Sequence, residues 1–282
     1  MAARVAGSCE LVVWNRSPAP AAAFQQAHPQ VTVAASLRDL AASADIVITC
    51  LTTSQAVEEC LDGADGLLAG LRPGSLLVDC TSGSPDISRR IAARLAPAGV
   101  GYADAPVSGG TAGAVAGTLT VMVGCEPELF ARVEAAVAPF AGKVVLMGPV
   151  GAGDAMKAVN NALLAANLIA AGEGMAVLAK FGVSPAEAAA VLNQSTGRSF
   201  VTEKLFPERV LNGSWPRTFR LALLHKDVAI AADLGGDLEV ATPVLRAALD
   251  ELGKAKEQLD QGADHVELVK VIESRSGVTI RE

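Results

Sequence analysis

Lys157 sits in the run GPVGAGDAMKAVNN, from Gly148 to Asn161, at the head of a stretch made largely of alanine and leucine. Asn161 follows it by four residues, so helical spacing puts both side chains on one face directly after a glycine-rich entry. An ammonium buried in an apolar helix must be paired, lose its proton or serve chemistry, because an isolated buried charge is strongly unfavourable. A lysine that gives up its proton near neutrality is an acid/base group for a hydroxyl or carbonyl. A lysine that snorkels from the start of a helix accounts for the same residue equally well. Upstream, the run DAPVSGG from Asp104 to Gly110 is followed by Thr111, Gly113, Ala116, Gly117 and Thr118. Successive glycines after a strand end open backbone N–H groups to close approach, and the Ser108 hydroxyl adds a donor, which together make a cradle for a carboxylate.

These groups need elements to hold them. Short β-rich runs at Leu11 to Trp14, Val31 to Ala34, Asp45 to Leu51, Ser75 to Asp79 and Gly101 to Asp104 alternate with helix-like segments. That alternation predicts a parallel sheet covered by helices. Leu119 to Gly124 and Lys143 to Met147 read as two more strands around a helix near Glu126 to Ala138. After Gly148-Pro149 the pattern is helical alone, with breaks at Ser184-Pro185 and Ser214-Trp215-Pro216. A Ser followed by Pro is an N-cap and first-turn pair, so a helix is expected to start at Ser184. The expected fold is an α/β Rossmann-like domain over residues 1–148 and an all-α domain over residues 149–282.

At 282 residues the chain is long enough for two cores, and with 51% hydrophobic but only 4% aromatic residues they must be built from Ala, Val, Leu and Ile. A net charge of −7, with no run of Lys and Arg, gives no electrostatic footprint for nucleic acid. Cys9, Cys50, Cys60, Cys80 and Cys125 form no CxxC pair and no ligand spacing with His28, His225 or His265, so a reduced intracellular chain without a metal is expected, cytoplasmic by default. His225 and His265 read as satisfied or exposed side chains, and His28, before Pro29, as loop. The apolar stretch from Ala158 to Leu178 is interrupted by Asn160, Asn161, Asn167, Gly172, Glu173 and Gly174, and so reads as a core or interface helix and not a membrane span.

Several of these runs occur together, in order, in one family. The chain resembles the β-hydroxyacid dehydrogenase family in DAPVSGG (Asp104 to Gly110), in G-x-G-x-x-x-K-x-x-N-N (Gly151 to Asn161) and in His225-Lys226-Asp227. The resemblance continues through Val12 to Pro18, Asp79 to Pro85 and Gly262-Ala263-Asp264, and so covers nearly the whole chain. One family motif has no counterpart, the opening strand that leads into G-x-G-x-x-G. Met1 to Gly7 is similar to the tail of the helix after that loop. The absent strand is central in such sheets, so a gap is expected between the strands at Leu11 to Trp14 and Asp45 to Leu51, together with a truncated gene model or transcript. A chain that starts inside a helix does not report on targeting, which leaves an organelle open.

The resemblance implies roles. Lys157 would be the acid/base group, its pKa lowered by burial beside Lys226; Ser108, Gly109 and Gly110 would hold the substrate carboxylate, and Asn161 would orient Lys157 or the substrate. Asn15, Arg16, Ser17, Leu51, Thr52, Ser82 and Lys226 would line the cofactor. Arg16 and Ser17 stand where an acid commonly binds the ribose of NAD, and a guanidinium fork suits a 2′-phosphate, which favours NADP while leaving NAD open. Without the family, Asn15 to Pro18 reads equally well as a turn. Thr52 and Ser82 depart from the Pro and Thr usual in the family. Asp227 is expected to pair with a neighbouring cation or cap a turn; Thr196, Gly197 and Ser199, near a helix end, read equally well as substrate contacts or as a turn.

The implied reaction is the NADP-dependent interconversion of a small β-hydroxy acid, γ-hydroxy acid or glycolate with its semialdehyde or keto form, in a homodimer or homotetramer. Three alternatives stand beside it. Imine reductases usually carry another residue at the position of Lys157, 6-phosphogluconate dehydrogenases need a longer helical domain, and a silent family member would persist as a dimerisation module.

Overall fold

The computed structural model describes residues 1–281, which form two compact units, one over Met1–Lys157 and one from Ala158 onward. In the first unit, β1 (Val12–Val13) and β2 (Thr32–Val33) make a parallel two-stranded sheet. A second sheet joins β3 (Ile46–Thr49), β4 (Leu76–Asp79) and β5 (Gly101–Asp104) in parallel. It continues through β7 (Leu119–Gly124), antiparallel to β5 and to the short β6 (Val107–Ser108), and through β8 (Ala141–Gly148), parallel to β7. Among the described residues β1 pairs only with β2, and β3 only with β4 among the strands, so the sheet divides where the sequence placed a gap. β6 was not expected: two residues are too few to give a periodic signal.

Every residue of β4 is buried because both faces of this sheet are covered, the arrangement that makes inner parallel strands uniformly apolar. Leu76 and Val78 join one core with Val121, Val123, Val133 and Phe140; Leu77 joins the other with Ile87, Ile91 and Leu95. The covering helices are α1 (Ala2–Val5), α2 (Pro18–Ala27), α3 (Leu37–Ser43), α4 (Ser54–Glu59), α5 (Pro85–Leu95), α6 (Gly110–Ala116) and α7 (Pro127–Val137). Their starts follow from local chemistry. Ser36 and Thr53 accept N–H bonds from Asp39 and Ala56, and Pro opens α2, α5 and α7 at a position whose N–H has no intrahelical partner.

α8 (Ala152–Phe181) carries the chain from the first unit into the second. The second unit is helical: α9 (Pro185–Asn193), a π-type helix at Val201–Leu211 that contains Pro207, α10 (Leu221–Asp237), α11 (Pro243–Gln258) and α12 (Leu268–Ser276). Ser184 caps α9 as expected, its Oγ accepting the Glu187 N–H at 3.4 Å. Ala158, Ala162, Ala165 and Leu168 of α8 pack with Leu205, Phe206, Leu224, Val228 and Ile272. Small residues let α8 approach closely: a Cβ on Gly172 would lie 2.7 Å from Ile272 Cδ1.

One expectation needs correcting. The asparagines and glycines of α8 do not interrupt it; its mean hydropathy reaches 1.7 over 18 residues, so length and composition would let it cross a bilayer. The core helix of a globular unit passes the same test, and one face of α8 is core from Ala158 to Ala176.

Candidate active site

Lys157 lies in the second turn of α8 and is 9% exposed. The start of α8 is held by Asp104, the last residue of β5 and fully buried. Its Oδ1 accepts the Gly151 N–H at 2.7 Å and its Oδ2 the Asp154 N–H at 2.9 Å, two donors that have no partner within the helix. The backbone passes so close to Asp104 that only glycine fits. A Cβ on Gly153 would lie 2.8 Å from Asp104 Oδ2, and one on Gly124 2.5 Å from Asp104 Oδ1.

Asp154 is also buried and reaches the other way. Its Oδ1 accepts the Gly83 N–H at 3.0 Å, and its Oδ2 lies 2.6 Å from Ser88 Oγ. The turn bearing Ser82 is therefore tied to α8; Ser54 ties it to α4 by accepting the Ser84 N–H at 2.7 Å. Ser88 Oγ is 3.1 Å from the Tyr102 hydroxyl, which lies 3.4 Å from Asp79 Oδ2. Asp79 Oδ1 accepts from Thr49 Oγ1 at 2.8 Å and from the Thr81 N–H at 3.0 Å. Burial raises the pKa of Asp79, and of Asp104 to about 6; burial and the charge of Asp104 raise Asp154 to about 8.

The residues singled out in the sequence lie on different elements of the two units. Ser108 pairs through β6 with Thr120, and Gly109 and Gly110 follow with φ of 129° and 63°, conformations that favour glycine. Leu51 and Thr52 follow β3, with the Leu51 N–H donating to Thr81 Oγ1 at 2.9 Å. Asn15, Arg16 and Ser17 follow β1; Arg16 is exposed, and Asn15 Nδ2 donates to the Ser17 carbonyl at 2.8 Å. In the second unit, Asn161 Nδ2 donates to Asp227 Oδ2 at 2.6 Å, and Lys226 pairs with Asp227 at 3.0 Å. Asp227 thus pairs with the neighbouring cation, as expected. Sequence reasoning missed Asp154, Gly83 and Ser88; the signal was an acid one helical turn before Lys157 in the glycine-rich run.

His265 is buried against the Phe219 carbonyl and Asp264, and His225 is half-buried beside Lys256, so neither stands in an acid/base constellation. Among the described residues no cluster of His, Cys, Asp and Glu is placed to hold a metal.

Residues 1–148 match a family model described as the NAD binding domain of 6-phosphogluconate dehydrogenase, and residues 151–272 one described as the NAD-binding of NADP-dependent 3-hydroxyisobutyrate dehydrogenase. The chain belongs to the β-hydroxyacid dehydrogenase family. It is 33% identical to 2-(hydroxymethyl)glutarate dehydrogenase of Eubacterium barkeri, over 86% of this chain and 80% of that one. It is 34% identical to mitochondrial 3-hydroxyisobutyrate dehydrogenase of Homo sapiens, over 85% and 72%. Among solved structures, Mycobacterium tuberculosis 3-hydroxyisobutyrate dehydrogenase with L-serine matches with a TM-score of 0.86 at 30% identity, over 96% and 93%. For this family member the α/β unit followed by a helical one is the family fold.

Nicotinamide cofactors bind outside the carboxyl ends of parallel strands. In the first unit those ends carry the exposed guanidinium of Arg16 after β1, the exposed Leu51 and the Thr52 hydroxyl after β3, and Ser82 after β4. A cation, hydroxyls and an apolar wall fit such a cofactor.

Proposed function

We propose that this chain is an NADP-dependent oxidoreductase that interconverts a small β-hydroxy acid with its semialdehyde or keto form, physiologically toward the hydroxy acid. The observation that carries the reading is the burial of Lys157 one turn beyond a helix start fixed by Asp104. When bound, nicotinamide accepts or supplies the hydride. Lys157 takes the hydroxyl proton in one direction and returns it in the other. Ser108 and the amides of Gly109 and Gly110 hold the substrate carboxylate; Asn161, fixed by Asp227, orients Lys157 or the substrate. Arg16, with Asn15 and Ser17, receives the 2′-phosphate, and Leu51, Thr52, Ser82 and Lys226 line the remainder of the cofactor.

Residues 1–148 are proposed as the cofactor-binding part and 149–282 as the substrate and dimerisation part. The exposed Met156, Val159, Leu163, Val177 and Phe181 on α8 support self-association, and the five free thiols suit the cytoplasm. The divided sheet supports a second reading, a catalytically silent dimerisation module.

Titration with NADPH and NADH by nicotinamide fluorescence, then turnover of a panel of β-hydroxy acids, separates the two. The enzyme reading expects tighter NADPH binding and turnover that falls about 10²–10⁴-fold in Lys157→Ala with NADPH affinity kept. Absence of both binding and turnover overturns it in favour of the silent module.

A further inference from the structure

Asp79, Asp104 and Asp154 are each at most 1% exposed and belong to one hydrogen-bonded network. Three carboxylates withdrawn together from water do not all keep their charge. Donor counting shows where a proton fits. Both oxygens of Asp104 are occupied by backbone N–H donors, which only an acceptor satisfies. Asp79 Oδ1 accepts from both Thr49 and Thr81, and its Oδ2 faces the Tyr102 hydroxyl at 3.4 Å, too long for a shared proton. Asp154 Oδ1 accepts from Gly83, but its Oδ2 faces a hydroxyl at 2.6 Å, and a hydroxyl takes a hydrogen bond as readily as it gives one. A proton on Asp154 Oδ2 therefore sets a consistent chain: Asp154 donates to Ser88, Ser88 to Tyr102, and Tyr102 to Asp79.

We propose that Asp154 is a positioning residue that works as a neutral acid, sharing its proton with Ser88 and thereby latching the Ser82-bearing turn to the start of the helix that carries Lys157. It touches neither substrate nor cofactor; it acts through Gly83 on one side and through the first turn of α8 on the other. The inference rests on the proposed role of Lys157 for its kinetic consequence but not for the protonation itself. The raised pKa of Asp154, caused by burial and by Asp104, agrees with the donor count. The other titratable groups around the network are Asp79, Tyr102 and Asp104 on the strands, Cys50 and Cys80 near Asp79, Cys125 near Asp104, Arg89 of α5 beside Gly151, and Lys157 on α8 itself. Ionising Asp154 sets a second negative charge against Asp104 and forces Ser88 to turn its hydroxyl, so the latch loosens as pH rises.

Infrared spectroscopy of the full chain tests the protonation without any turnover. The carbonyl stretch of a buried carboxylic acid should be present at neutral pH, disappear on alkaline titration, and be missing in Asp154→Asn. Ser88→Ala, which removes only the hydroxyl partner, should shift its frequency. A wild-type spectrum without this band, or a band that survives Asp154→Asn, overturns the proposal. If Asp154→Asn does not fold, the wild-type titration and Ser88→Ala decide it alone.

Positioning is read from kinetics. Asp154→Ala should lower kcat about tenfold or more and raise the cofactor KM as well, because the Ser82-bearing turn is released together with the start of α8. Asp154→Asn, whose amide donates to Ser88 and accepts from Gly83 as the neutral acid does, should recover most of it and flatten the alkaline fall of kcat. Equal losses in Ala and Asn variants overturn the positioning role. A chain with no turnover in any form, yet with the infrared band, overturns the enzyme reading and leaves the neutral acid standing.

Discussion

Gly153→Ala isolates the geometry that holds the start of α8. Replacing glycine by alanine in a helix ordinarily stabilises by about 0.5–1 kcal/mol, because glycine loses more backbone freedom on folding. Here the added Cβ would lie 2.3 Å from the Met122 carbonyl oxygen, 2.8 Å from Asp104 Oδ2 and 3.0 Å from the Asp104 carbonyl oxygen. Two of those atoms are backbone within the sheet, so α8 must move away from β5 and β7. Overpacking of this kind is destabilising by about 1–3 kcal/mol. Displacing α8 also weakens a hydrogen bond to the Asp104 carboxylate, a further loss of about 1.5–3 kcal/mol. Against a helix gain of at most about 1 kcal/mol the net is a loss of about 2–5 kcal/mol. In a unit of this size that lowers the melting temperature by roughly 5–15 °C.

Gly174 is the internal control. It lies in the same helix, is exposed, and a Cβ there would meet nothing within 4 Å. Gly174→Ala should raise the melting temperature by about 1–4 °C. Differential scanning calorimetry of the two variants against the wild-type chain gives both values. Opposite signs for one substitution in one helix are the expected outcome; a Gly153→Ala protein that melts at or above wild type refutes the close-approach argument.

Arg16→Ala should raise the KM for NADP by about 10–100-fold, the size of a lost charge-assisted hydrogen bond, with the KM for NAD little changed; equal effects on both cofactors would remove the 2′-phosphate assignment. In the second unit, burial opposes ionisation of Asp264, but hydrogen bonds from His265, Phe219 and Thr218 outweigh it and hold the carboxyl well below the usual range. A group with a depressed folded-state pKa contributes stability that is present above its unfolded value of about 4 and is lost as pH falls toward the folded one. Melting temperature should therefore drop on acidification below about pH 4. Asp264→Asn should already be less stable at neutral pH, by about 3 kcal/mol, and respond less to acid; an unchanged acid slope counts against the assignment.

Strands such as Ile46–Thr49, Leu76–Asp79 and Leu119–Gly124 were legible because covered sheet faces give short apolar runs, and their brevity, β-branched residues and flanking turn residues separate them from buried helix. The π-type helix at Val201–Leu211 was not legible, because Pro207 forbids a regular helix there and its accommodation depends on packing by Val201, Leu205, Phe206 and Val210. Lys157 was legible as a charge in apolar surroundings. Its supporting acids were not, since Asp104 and Asp154 lie 50 residues apart and each alone reads as an ordinary strand-end or first-turn residue. Asp227 was expected to find a cation; that it also takes the Asn161 amide follows from the packing of α8 against α10, which spacing does not reveal.

That separation explains the motif spacing. In the sequence, DAPVSGG and G-x-G-x-x-x-K look like two sites, one for an anion and one for a base. In the structure the first residue of one is the cap of the other. Gly151 supplies an amide to Asp104 from a backbone at φ 95°, Gly153 lets the chain pass against Asp104, and Asp154 supplies the second amide while its side chain reaches Gly83 and Ser88. Lys157 follows Asp154 by three residues, so the position of its backbone is set within one turn of a point fixed to both β5 and the β4–α5 turn. An acid/base group must be placed to a fraction of an ångström to be effective, and a helix start held from two sides by directional hydrogen bonds to buried carboxyls meets that demand.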